Sequence, residues 1–181
     1  MIKNNSRFWR YMALIVAILR IFTPALIFVY PTLAAILNII VLDGVDGLAF
    51  SNAGLSHKSY ITYDKLIDFW WYGFIVLFFW TKPLFTIFFL LFLFRSFGHW
   101  ISIITRKEIW LFYFPAIIEI YFIGFLIALN FPQLKFFYQG GFIYYSLAFA
   151  TIIALVREYV IHITRKSVGK VLLGVGPKWS K

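Results

Sequence analysis

Apolar residues run along this chain in blocks of roughly 20, the length a helix needs to cross a hydrocarbon core of about 30 Å. Short polar or proline-bearing breaks separate the blocks, which are read as spans 9–30, 31–49, 61–80, 83–104, 109–129 and 142–163. Pro31 and Pro83 mark two of the turns, each suited to the first turn of the helix that follows. The linker 130–141 ends the fifth span, and its aromatic residues suit a membrane interface. No internal repeat or low-complexity tract interrupts the pattern. The expected fold is all-α: a polytopic membrane protein of about six transmembrane helices. It forms one membrane domain, with a basic N-terminal segment (1–8), a six-helix bundle (9–163) and a basic tail (164–181).

Composition strengthens this picture. Of 181 residues, 62% are hydrophobic and only 13% charged, too few polar groups to cover a globule in water. The N-terminus, with Lys3, Arg7 and Arg10 ahead of an apolar stretch, has the look of a signal sequence. No small-residue cleavage site follows and five more apolar segments do, so it is read as the first span. The net charge of +10 does not point to nucleic acid, because the basic residues sit between apolar runs, where they can meet anionic lipid. Placing both termini in the cytoplasm puts Lys3, Arg7, Arg10, Lys58, Arg106, Lys107, Arg165, Lys166, Lys170, Lys178 and Lys181 on that side. Lys82 and Lys135 fall opposite, an asymmetry that sets the orientation. The absence of cysteine excludes disulfides, thiolate metal sites and cysteine nucleophiles.

Candidate chemistry is concentrated in one segment. All four aspartates lie between 43 and 68: Asp43 and Asp46 at the end of the second span, Asp64 and Asp68 at the start of the third. Spacings of three and four put each pair on one helical face, and two neighbouring antiparallel helices can bring four carboxylates to one pocket. Carboxylates so crowded repel unless something neutralises them, and a hard divalent cation such as Mg2+ does so while bridging to substrate phosphate. The alternative is four interfacial aspartates solvated in a loop. Acids at membrane depth, however, default to function.

Here the chain resembles the CDP-alcohol phosphatidyltransferase family, whose signature is Asp-x2-Asp-Gly-x2-Ala-Arg-x8-Gly-x3-Asp-x3-Asp. Asp43, Asp46, Gly47, Asp64 and Asp68 match it without gaps, and Ile18-Leu-Arg20 is similar to the family's Leu-Arg in the first helix. The resemblance implies that Asp43, Asp46, Asp64 and Asp68 hold two Mg2+ or Mn2+ ions. It further implies that Asp68 deprotonates the acceptor hydroxyl, whose oxygen attacks the donor phosphorus and releases CMP. Partners would then be a CDP-linked lipid donor, an alcohol acceptor and membrane lipids, with a monomer or a homodimer both compatible. The setting would be the cell's inner or plasma membrane, with the site facing the cytoplasm, in phospholipid synthesis. Three positions depart: Phe50 stands for Ala, Ser51 for Arg and Tyr60 for the second Gly. Gly47, Ser51 and Tyr60 would border the substrate. The metal half of the signature is intact and the nucleotide half degraded, so a catalytically silent scaffold of the same fold is the rival reading. An intramembrane prenyltransferase fits the spacing poorly. A transporter lacks its broken helices at the midplane.

A depth count adds further candidates. Measured from the outer turns at 1.5 Å per residue, Arg20, Asp43, Asp68, Arg95, Glu119 and Arg157 lie at depths of about 15 to 22 Å. One charge per span near one plane suggests a polar layer, with Arg20, Arg95 and Arg157 offering positive charge to a phosphate. These arginines could instead snorkel or pair with Glu119 and Glu158. His57, His99 and His162 lack metal-ligand spacing and are read as interfacial. Most of the tryptophans fall at span ends, as an aromatic belt requires. Phe69, Trp70 and Trp71 could wall an acceptor pocket, although packing against lipid is the simpler reading. Glycines 169, 174 and 176 resemble a phosphate loop only weakly.

Overall fold

A computed structural model describes residues 6–163, so residues 1–5 of the basic N-terminal segment, the tail 164–181 and the tail glycines lie outside the described residues. The regular secondary structure of the described residues is all helical, with no strand. They form two compact units that divide after Trp71, inside one helix.

The first unit opens with α1 (Ser6–Phe22), which tightens into a 3-10 turn (Thr23–Phe28) at Pro24. Then come α2 (Pro31–Ala35), a π-helical stretch (Ile36–Leu42) and α3 (Asp43–Ala53). Gly54, at φ 98°, ends α3 in the left-handed conformation that glycine adopts without Cβ strain. Ser56 then accepts from the Ser59 amide, capping α4 (His57–Phe78). α1 and α3 pack through Ala13, Val16 and Ala49, small side chains that let the backbones approach.

In the second unit, α5 (Phe85–Thr105), α6 (Trp110–Tyr113), α7 (Ile117–Asn130) and α8 (Phe142–Glu158) surround an aromatic core. Phe79 stacks on Phe88 with centroids 3.9 Å apart, and Phe122 meets both edge-on. Gly98 of α5 faces Phe114 so closely that a Cβ there would overlap the ring.

α5 shows what solvent the chain is built for. It buries Arg95, Ser96, His99 and Ser102 and turns Leu90, Leu93, Phe97, Trp100 and Ile104 outward. A helix in water does the reverse. α1 is inverted in the same way, hiding Arg20 while Leu14, Ile15, Ile18, Leu19 and Phe22 face out. Among the described residues, four helices are long and apolar enough to cross a bilayer: 7–28, 31–53, 85–105 and 142–163. The chain is therefore read as a membrane protein.

The other two expected spans differ from the simple pattern. α4 is 22 residues long, but Asp64, Lys65 and Asp68 crowd its first half. The fifth expected span, 109–129, is broken. Pro115 offers no amide hydrogen, so α6 stops at Tyr113 and α7 begins at Ile117, leaving a 14-residue apolar helix.

Candidate functional site

The aspartate segment is positioned by local devices that the sequence carries. The π-helical stretch directly before Asp43 alters the register in which α3 presents its acids, as π-turns often do beside functional groups. Asn38 in that stretch accepts from Thr23 at 3.0 Å and donates to the Ala34 carbonyl. Thr23 lies one turn beyond Arg20, so this bond ties the arginine's end of the first helix to the approach to Asp43. Trp70 of α4 donates its indole N–H to the Ile21 carbonyl at 2.9 Å, fixing α4 beside the same turn.

All four carboxylates consequently meet in the first unit, around one guanidinium. Arg20 Nη1 bonds Asp46 and lies 3.4 Å from Asp64 and 3.6 Å from Asp43; its Nη2 donates to Asp68 at 3.0 Å. Oxygens of Asp43, Asp64 and Asp68 lie within 4.8 Å of one another, close enough to share one metal ion. Asp46 is fully buried and engaged instead by Arg20 and by the Tyr60 hydroxyl, which donates at 2.6 Å. Asp43 and Asp68 are the more accessible acids, with side chains 30% and 14% exposed.

Lys65 is buried beside them, 2.5 Å from Asp64 and 3.7 Å from Asp68. Sequence reasoning missed it. Adjacent residues on a helix point about 100° apart, so Asp64 gave no reason to expect the contact, but the three-residue spacing from Lys65 to Asp68 was a signal for it.

The three departures from the family signature also lie here, and two of them are partners. The Phe50 and Tyr60 rings are 6.2 Å apart, and Tyr63 closes on Phe50 at 4.5 Å. Ser51 is buried and donates back to the Leu48 carbonyl, and Gly47 is buried beside Asp46. Large rings and a phenol bonded to Asp46 thus occupy positions where the signature has small residues.

Tyr60→Phe keeps the ring and removes the donor, so it is expected to cost about 1.5–3 kcal/mol, as for a hydrogen bond to a charged group. Tyr60→Gly should cost more, adding a cavity beside Phe50 and a glycine inside α4. Melting in detergent gives the order, and a Tyr60→Phe protein as stable as the parent would show that the hydroxyl does not hold Asp46.

Arg95 and Arg157 have other partners, in the second unit. Arg95 bonds Glu158 at 3.1 Å and donates to the carbonyls of Leu111 and Phe114, which the break at Pro115 leaves open. Glu158 in turn accepts the Ala116 amide at 3.2 Å and lies 2.9 Å from His162. The pair therefore satisfies backbone groups on both sides of the break, as a membrane interior demands. Arg157 bonds Glu119 at 2.6 Å. His99 is buried and stacks on Tyr72. Of the three aromatics after Asp68, Phe69 and Trp70 are exposed and Trp71 is buried.

Comparison with known protein families, curated proteins and solved structures gave no match to this chain.

Proposed function

We propose that the protein is a six-span membrane phosphotransferase related to the CDP-alcohol phosphatidyltransferases. In this reading α4 and α7 complete the set of spans, and both termini and the aspartate cluster face the cytoplasm. It transfers a substituted phosphate from a CDP-linked lipid to an alcohol and releases CMP. The observation that carries this reading is the convergence of Asp43, Asp64 and Asp68 on a point that could hold a metal ion. Oxygen-only donors of this kind suit Mg2+ or Mn2+, and the donor set therefore fits the ions the resemblance implies. When bound, such an ion would polarise the donor phosphate and offset charge developing on the leaving group.

The chain's own residues divide the remaining work. Asp68, the more accessible acid of α4, takes the proton of the acceptor hydroxyl. That oxygen bonds to the lipid-linked phosphorus as the bond from this phosphorus to the bridging oxygen breaks. CMP departs with the electron pair, and Asp68 later gives its proton to solvent. Arg20 supplies the positive charge nearest the donor phosphates.

A catalytically silent protein of the same fold is favoured by one observation, the packing of Phe50 and Tyr60 with the Tyr60–Asp46 bond. The deciding assay measures CMP release by purified protein from CDP-diacylglycerol with a panel of alcohols, with and without Mg2+ or Mn2+. Release that needs both alcohol and metal supports the enzyme. No release with any alcohol, while Mn2+ still stabilises the protein, supports the silent form.

Metal binding itself is expected to raise the melting temperature, by the equivalent of about 2.7 kcal/mol at 100 times Kd. An Asp43→Asn, Asp64→Asn double substitution should abolish the shift. Equal shifts in both proteins would remove the metal site.

A further inference from the structure

Arg20 is placed to do more than neutralise the acids. Its guanidinium approaches Asp43, Asp64 and Asp68, the same three carboxylates whose oxygens converge on one point. Mg2+ holds oxygen ligands at about 2.0–2.1 Å in near-octahedral order, so an ion drawing in these oxygens would meet the guanidinium at close range. Two cations cannot share those oxygens at such distances without strong repulsion. A second observation points to where the arginine goes. Although Arg20 is only 3% exposed, its Nε is buried and, among the described residues, has no acceptor. A buried donor without a partner is costly, and a phosphate oxygen would satisfy it together with the two Nη groups. The Tyr63 hydroxyl, on the same face of α4 as Tyr60, is likewise buried without a partner.

We propose that Arg20 is a two-position switch, holding the aspartates until a phosphate takes it, so that divalent metal and a phosphate-bearing ligand bind cooperatively. The proposal rests on the metal–phosphate reading above and adds its regulation. Metal alone must displace Arg20 and binds weakly. Metal with phosphate binds tightly, because the phosphate oxygens accept the guanidinium as the carboxylates turn to the ion. By linkage, metal strengthens phosphate binding by the same factor.

The test titrates the full chain in detergent with Mn2+, followed by electron paramagnetic resonance against free Mn2+. One series contains no phosphate, one contains inorganic pyrophosphate, and one contains phosphatidic acid in the micelle. Expected for the parent is at least about 10-fold tighter Mn2+ binding with one of the two phosphates, within the usual range of coupling. Pyrophosphate alone giving the effect means a soluble diphosphate suffices; phosphatidic acid alone means the phosphate must be borne by lipid.

Arg20→Gln should bind Mn2+ at least about 10-fold tighter without phosphate and lose most of the coupling, a gain that no merely structural role produces. Arg20→Lys, which cannot fork between two acids, should fall between and serves if the glutamine variant does not fold. Parent binding that is equal in all three series overturns the switch and leaves the metal site standing. Coupling of undiminished size in Arg20→Gln also overturns it, since the ion would then be bridging to phosphate without the arginine. No Mn2+ binding by any protein in any series overturns the switch and the metal reading together.

Discussion

Methionine in place of Arg95 is expected to destabilise the protein by about 3–5 kcal/mol, the cost of stranding one member of a buried ion pair. Glu158 is 1% exposed and would lose its arginine, keeping only the Ala116 amide and His162 beside it. The carbonyls of Leu111 and Phe114, which Arg95 serves at the break before Pro115, would also lose their donor. Arg95→Met with Glu158→Gln should recover part of the loss by removing the orphaned charge. Recovery should be incomplete, because the carbonyls of Leu111 and Phe114 still lack a donor. Denaturant or thermal unfolding in a fixed detergent measures the cycle. An Arg95→Met protein that melts with the parent would mean that the pair does not hold the break.

The largest expected effect on activity is at Asp68. Asparagine keeps the shape and one oxygen acceptor for Arg20 Nη2, but it cannot take a proton. CMP release is therefore expected to fall on the order of 10²–10⁴-fold, the usual contribution of a general base. Asp68 is also one of the three carboxylates placed to hold the metal, so the comparison is made at saturating Mn2+, where affinity for a CDP-lipid should change far less than turnover. Asp43→Asn should behave differently, losing activity at low Mn2+ and regaining part of it as Mn2+ is raised. An Asp68→Asn protein that keeps more than half of the parent's CMP release would place the base elsewhere. Its nearest rival on accessibility is Asp43.

Much of the architecture was legible in one dimension because a bilayer imposes a one-dimensional rule. A span built as one unbroken helix must be apolar for about 20 residues. The four apolar helices fall where the hydrophobic pattern put them. The helical faces of Asp43 with Asp46 and of Asp64 with Asp68 likewise follow from spacing alone.

The break in the fifth expected span was also written in the chain, at Pro115, but what makes it tolerable was not. Its carbonyls are satisfied from Arg95, 16 and 19 residues away, and its amide from Glu158, 42 residues away. A depth count along each helix expects Arg20, Arg95 and Arg157 near one level, yet depth carries no azimuth. Only the packed helices decided that Arg20 faces four aspartates 23 to 48 residues distant, while Arg95 and Arg157 face glutamates. The same holds for Phe50 and Tyr60. Read singly, each was a departure from a signature; folded, they are neighbours, with the Tyr60 phenol bonded to the one aspartate that does not join the other three. Sequence marks out the apolar helices and their faces because these are properties of single helices. Which charge meets which is a property of helix against helix, and it is decided only by tertiary packing.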